Sequence, residues 1–210
     1  IDVLTEEATE DIEKMAAIVP TDKPYMRTGI FETFRKRIPW LLILMISATF
    51  TGAIISHFEE TIAAIVGGSA LIAFIPMLMD TGGNAGSQSS VTVVRGLALG
   101  EIRFSDFFRI LWRECRVAML CGIVLAMCNF VKVLLIDKLL LGNQSITPLI
   151  ALVVCMTLFV TVLAAKIVGC ILPLTAQKLG FDPAVMASPF ITTIVDALAL
   201  LVYFQIATFI

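Results

Sequence analysis

Long charge-free runs alternate with short charged stretches along this chain. Residues 38–56, 61–79, 117–131 and 139–165 carry no Asp, Glu, Lys or Arg, and 183–210 carry only Asp196. A helix needs about 20 apolar residues to cross the hydrocarbon core of a bilayer, so the pattern predicts five spanning helices. Their expected bounds are about 38–56, 61–94, 117–136, 149–172 and 184–210. The second is too long for a single crossing, and Pro76 and the Gly82-Gly83 pair are its natural break points. The fold class expected is an all-α membrane protein.

The segments between the runs predict the rest. Residues 4–18, "LTEEATEDIEKMAAI", read as an amphipathic helix with Thr5 as N-cap, acids toward its start and Lys14 toward its end. "VPTDKP" breaks it, so residues 1–28 form a separate acidic helix and linker, and 29–210 form the membrane domain. Pro39 falls at the start of the first span, where a missing N–H costs nothing. His57 to Glu60 make the first connection. Arg95 to Arg116 predict an interfacial helix anchored by Phe108 and Trp112. Gly142 to Pro148 and "KLGFDP" make the last two turns, and Pro173 ends the fourth span. No internal repeat is visible, which argues against an inverted-repeat transporter within one chain.

Composition and charge then fix the setting. The chain is 59% hydrophobic and 15% charged, far from a soluble domain, and its net charge of −2 gives no footing for nucleic acid. The partner implied is the lipid bilayer. Lys23, Arg27, Arg35, Lys36 and Arg37 precede the first span, whereas His57 to Glu60 carry no Lys or Arg. The positive-inside rule therefore predicts a cytoplasmic N-terminus and, with five spans, an outside C-terminus in the plasma (inner) membrane. The five cysteines show no CxxC spacing and read as small buried apolar residues. The chain begins at Ile1, and nothing near it has the apolar core of a signal peptide, so an upstream domain is expected.

Asp196 carries the chemistry. It falls about 18 Å into the last span, counting 1.5 Å per residue from Ala184. An ionisable group at that depth costs about 3 kcal/mol on insertion scales and marks an ion path by default. Ser188, Thr192 and Asp196 follow i, i+4, i+8 and share a polar stripe. Lys166, eighteen residues after Pro148, is expected to snorkel at the cytoplasmic interface, leaving Asp196 without a lysine.

A second polar element is "PMLMDTGGNAGSQSS" at 76–90. Gly82 and Gly86 have the spacing of close helix packing. Asn84, Gln88, Ser89 and Ser90 are not required for packing and suit a hydrated lining, and the run from Thr81 to Ser90 either lets another helix approach closely or leaves irregular, exposed backbone facing a polar path. "DTG" at 80–82 matches soluble aspartic proteases, but "IVDALAL" lacks the glycine pattern of intramembrane aspartyl proteases, and "GGNAGSQ" lacks the GK[ST] of a phosphate loop. A proton-coupled secondary transporter and a non-transporting scaffold are the rival classes to a channel.

"PMLMDTGGNAGSQSS…VVRGLALGEI", "DPAVMASPFITTIVDALALLVYF" and the "EEATEDI" helix together resemble the MgtE-type magnesium channel family, in order and spacing, over essentially the whole chain. The resemblance implies a homodimer of five-span subunits with one pore on the dimer axis, lined by the second and fifth helices. It implies Mg²⁺ as the transported ion, with Mn²⁺ and other divalent ions also able to pass, and no enzymatic activity. Carried over by position, it implies that Asp196 binds the ion, with the main-chain oxygen of Thr192 and the side chain of Ser188 beside it. Gly82, Gly83, Asn84 and Gln88 become pore-lining positions. Glu10 and Asp11 match the acidic pair of a plug helix, a further Mg²⁺ site in the family, normally preceded by cytosolic magnesium-sensing domains that this sequence lacks.

Overall fold

A computed structural model describes residues 2–21, 23–64, 68–186 and 188–209, and all of its regular structure is helical. The helices are α1 (Asp2–Met15), α2 (Ile30–Ala64), α3 (Gly68–Ile72), α4 (Ile75–Ala98), α5 (Phe107–Lys132), α6 (Pro148–Lys178) and α7 (Ser188–Phe209). Short 3₁₀ turns at Tyr25–Arg27, Phe104–Asp106 and Pro183–Met186 join them, and a π-helical stretch, Val133–Leu140, continues α5. Among the described residues, four stretches are long and apolar enough to cross a membrane: Ile30–Ala64, Phe104–Leu140, Pro148–Lys178 and Pro189–Phe209.

Several expected boundaries move, each for a local reason. α2 runs unbroken through His57 to Glu60, so those residues are not a connection, and Pro39 lies inside the helix instead of at its start. The helix begins early because its charged first turns are tied down. Lys23 Nζ donates to Glu32 Oε2 at 2.9 Å, and Lys36 Nζ donates to the Pro20 carbonyl at 2.7 Å. α1 likewise begins at Asp2, which places Thr5 within the helix rather than at its N-cap.

The break in the second run falls at Ala73 and Phe74, not at Gly82-Gly83. Pro76 occupies the first turn of α4, where its missing N–H leaves no intrahelical bond unmade. Tyr203 of α7 donates its hydroxyl to the Leu71 carbonyl at 2.8 Å, supplying a partner where α3 stops. From Ile75 to Ala98 the backbone is then continuous α-helix, so the irregular, exposed backbone expected between Thr81 and Ser90 is absent. Intrahelical bonds satisfy those groups, as a low-dielectric setting demands.

Two further corrections lengthen helices. α6 passes through buried Pro173 to Lys178, where Gly180 at φ +80 turns the chain in a conformation that suits glycine. The stretch from Phe107 onward joins the third span directly, so no separate interfacial helix exists, although Phe108 and Trp112 are exposed as anchors would be. α7 starts at Ser188, not Ala184.

α4 lies against α6 and α7, α5 packs on the other side of α6, and α2 leans on α7. The main apolar core is shared among them: Leu78 of α4, Val154, Leu158 and Val162 of α6, and Ile191, Val195 and Tyr203 of α7 are almost wholly buried. α4 thus occupies the interior although its polar residues set it apart from the four apolar spans. α1 is not free-standing; it touches the 3₁₀ turn between α6 and α7.

Candidate functional site

Glycines on one side of α4 let its neighbours approach to backbone distance. A Cβ on Gly82 would lie 2.7 Å from Thr161 Cγ2 and 2.9 Å from Val195 Cγ1. One on Gly83 would lie 3.0 Å from Thr192 Cγ2, and one on Gly86 would lie 2.8 Å from Ile191 Cγ2 and 3.1 Å from the Ala165 carbonyl oxygen. Across the α4–α6 contact, a Cβ on Gly169 would run into the carbonyl oxygen of Gly86. Small residues at these points convert lost side-chain area into close backbone packing, the usual currency of helix association in lipid. Gly82 and Gly83 therefore lie against the chain's own α6 and α7.

This seat orients α7. Ile191, Val195 and Ala199 are buried in it, which leaves Thr192 and Asp196, one turn apart, on the flank at intermediate exposure. The Thr192 and Thr193 hydroxyls both donate to the Pro189 carbonyl, at 2.9 and 3.1 Å. Their oxygens retain acceptor capacity. Asp196 lies about 12 Å along a helix about 33 Å long. Ser188 opens α7, and its side chain lies outside the described residues.

The opposite side of α4 is polar and open. Asp80, Asn84 and Gln88 are exposed, spaced i, i+4, i+8. They line a groove of about 540 Å³ whose other wall includes Leu120 and Val124 of α5, with Lys166 of α6 also lining it. The Asp80 carboxylate of α4 is within Coulombic range of Asp196 of α7.

Lys166 corrects the expectation of a snorkelling side chain. It is 5% exposed and donates to Ser89 Oγ at 3.4 Å. Its burial follows from the α4–α6 contact: the adjacent Ala165 carbonyl lies beside Gly86, and Gly169, about one turn on, meets the Gly86 backbone. Ser89 in turn donates to Glu114 Oε2 of α5 at 2.7 Å. Sequence reasoning passed over Glu114 because the basic residues around it, in "LWRECR", marked the segment as part of an interfacial helix.

Glu10 and Asp11 are elsewhere, at the end of the bundle where α1 meets the α6–α7 turn. Glu10 pairs with Lys14 at 2.6 Å, and Lys14 also pairs with Asp182 at 2.5 Å. The hydrogen bond to Asp182, then that to Glu10, holds the Lys14 ammonium above the ordinary lysine range against the opposing effect of burial. Burial alone would raise the Asp182 carboxyl; hydrogen bonds from Lys14 and from the Ala184 N–H outweigh it and hold the carboxyl below its ordinary value. Asp11 and Asp182 both line a cavity of about 270 Å³ closed by Leu97 and Gln177. Among the described residues, no three His, Cys, Asp or Glu side chains converge as a metal site.

A bundle of long apolar helices, holding a polar, glycine-seated helix beside a part-exposed carboxylate, defines a multi-pass membrane protein. Residues 75–206 match the family described as "MgtE: Divalent cation transporter", and the chain belongs to that family of transporters, not of enzymes. It is 34% identical over 207 residues to the "Magnesium transporter MgtE" of Thermus thermophilus and 37% identical over 208 residues to that of Bacillus subtilis. A third relative of the same name, from Enterococcus faecalis, is 32% identical. Each alignment covers 99% of this chain but 43% of the relative, so the chain spans less than half the length of these relatives.

Proposed function

We propose that this chain is the permeation unit of a magnesium-selective channel, working as a homodimer with one pore on its two-fold axis. In this reading α4 makes a fifth crossing, and α4 and α7 from each copy line the pore. The N-terminus and α1 face the cytoplasm, the C-terminus faces outside, and α1 is the end of a plug helix fed by sensing domains of a longer chain. Asn84 and Gln88 offer amide oxygens to the path, and Glu10 and Asp11 offer a second Mg²⁺ site at its cytoplasmic end. The relatives' printed names and the divalent-cation description of the family support Mg²⁺ as the ion.

The observation that carries the reading is the placement of Asp196: part-exposed on the flank of α7, one turn beyond Thr192, and presented by the Gly83 seat. Mg²⁺ surrenders its water reluctantly and prefers six oxygens in an octahedron. Two Asp196 carboxylates across an axis would hold it through that water, with the Thr192 carbonyl and Ser188 as flanking oxygens. At an effective dielectric of about 20 and a separation of about 5 Å, each carboxylate attracts a divalent ion by roughly 6–7 kcal/mol before desolvation. A monovalent ion gains about half of that. Charge therefore selects valence, and retained water keeps binding weak enough for release.

Replacing Asp196 with Asn preserves shape and removes the charge. The expected result is loss of Mg²⁺ flux to background in reconstituted liposomes, with the dimer intact by size-exclusion chromatography. Undiminished flux in that variant would reject the assignment.

A further inference from the structure

Lys166 is an ammonium buried inside a membrane bundle, and the cation path as described makes no use of it. A charged group in that position is expensive and calls for partners. Its partner is a hydroxyl, Ser89 Oγ at 3.4 Å, itself 2% exposed. That hydroxyl accepts from the ammonium and donates its own proton to Glu114 Oε2 at 2.7 Å. No direct ion pair between Lys166 and Glu114 occurs among the described residues, so Ser89 is the bridge. The three residues come from α6, α4 and α5, respectively.

The bridge is also placed where it can govern the path. On α4, Ser89 lies three residues beyond Gly86, whose carbonyl oxygen faces Gly169 of α6, and six beyond Gly83, which receives Thr192. A helix resting on glycines has little side-chain interlock to resist sliding or rotation about its axis. A charge-assisted bridge at one end of that smooth contact supplies a directional restraint which the glycines cannot.

We propose that Lys166, Ser89 and Glu114 form an interhelical charge bridge that fixes the rotation and depth of α4, and so act as positioning residues for the Asp196 site. None of the three touches the ion; they act through the Gly83–Thr192 contact. The inference rests on the reading of Asp196 as the ion-binding group. It adds a reason for the buried lysine: opposite charges on α5 and α6 pull on one hydroxyl of α4.

The test uses four variants of the protein in liposomes: Ser89→Ala, Lys166→Met, Glu114→Gln, and the double variant Lys166→Met/Glu114→Gln. Glu114→Gln leaves Lys166 buried and uncompensated, Lys166→Met leaves half-buried Glu114 without its counter-charge, and the double variant leaves neither charge. Mg²⁺ flux is expressed per folded dimer, and the half-saturating Mg²⁺ concentration is measured separately. The bridge predicts that Lys166→Met and Glu114→Gln each shift half-saturation by about threefold or more, with Ser89→Ala intermediate. It also predicts that the double variant returns to within about twofold of the parent. A role confined to folding would lower the yield of folded dimer and leave half-saturation unchanged in every variant, and that result would overturn the proposal.

A second measurement is independent of the ion site. Spin labels at exposed Val91 on α4 and exposed Leu201 on α7 report the α4–α7 distance directly. The single variants should shift or broaden that distribution and the double variant should restore it. An unchanged distribution in all four would sink the bridge even if Asp196→Asn abolished flux. Restored geometry in the double variant, together with full flux in Asp196→Asn, would uphold the bridge and discard the ion site.

Discussion

The two sides of α4 solve opposite problems with the same helical period. One side presents Gly82, Gly83 and Gly86, buried against α6 and α7; the other presents Asp80, Asn84 and Gln88, exposed to a groove of about 540 Å³. On the first side, removing side chains lets helices touch backbone to backbone. On the second, polar side chains stand exposed beside a bundle that is otherwise apolar. In a bilayer, where lipid tails are as apolar as leucine, a polar helix is retained only if some of its surface packs unusually well. The glycine face supplies that packing and leaves the polar face free for the path proposed above.

The sharpest way to break the comparison is to fill the packed side. Gly169→Ala sets a methyl group against the Gly86 carbonyl oxygen, a backbone atom that cannot rotate away, so α4 and α6 must separate. Overpacking of this kind costs about 1–3 kcal/mol, and the upper end is expected here, read as a lowered midpoint of thermal unfolding in detergent. Gly82→Ala meets only the side-chain atoms Thr161 Cγ2 and Val195 Cγ1, which can yield, so about 1 kcal/mol is expected. Equal losses from the two variants would mean that backbone contact does not set the seat.

Changes on the open side should show the reverse signature. Asn84→Ala and Gln88→Ala remove exposed side chains, so stability should stay within about 0.5 kcal/mol of the parent. If each contributes one hydrogen bond to a hydrated ion, worth about 0.5–1.5 kcal/mol, Mg²⁺ flux should fall between about twofold and tenfold. A variant that lost stability and kept its flux would place the residue in the packing instead.

The smallest effect belongs to the ion pairs under α1. Lys14→Met removes contacts to Glu10 and Asp182 that are partly exposed and screened, worth less than about 1 kcal/mol. The signs follow from the shifts. Asp182, held below its ordinary value of 3.8, stabilises docking above that value and loses the effect as pH falls through its lowered folded value. Lys14, held above its ordinary value of 10.5, stabilises docking below that value and loses the effect only as pH rises through its raised one. Amide exchange of α1 should therefore be level between pH 3.8 and 10.5, after correction for intrinsic rates, and faster in Lys14→Met throughout. A titration step near neutrality would show that other groups dock the helix.

Much of this was legible along the chain. Five apolar runs announced the helices, and four of them stand as spans by length and composition. Asp196 was visible as the lone charge of its run, and the i, i+4 spacing correctly put Thr192 beside it. Proline and glycine were the weak signals. Pro39 and Pro173 lie inside helices and Gly82-Gly83 does not break one; Pro173 and the glycines are buried against neighbouring helices, which compensate for what an isolated helix would lose, whereas Pro39 is exposed. Lys166 was misplaced because a count of residues from Pro148 gives depth along α6 and not the side of the helix that α4 covers.

The sequence by itself determined the class of molecule, its helical content, the family and the carboxylate at depth, since each follows from hydropathy and the spacing of near neighbours in one helix. Only the tertiary structure decided which face of α4 is packed and which is open, that Lys166 reaches Glu114 through Ser89, and that Lys14 ties α1 to Asp182. Those pairs lie 25 to 168 residues apart, with Ser89 to Glu114 the nearest and Lys14 to Asp182 the farthest. Helical periodicity fixes the direction of a side chain around its own axis. The partner it meets depends on how the helices are rotated against one another, and the glycine contacts set that rotation.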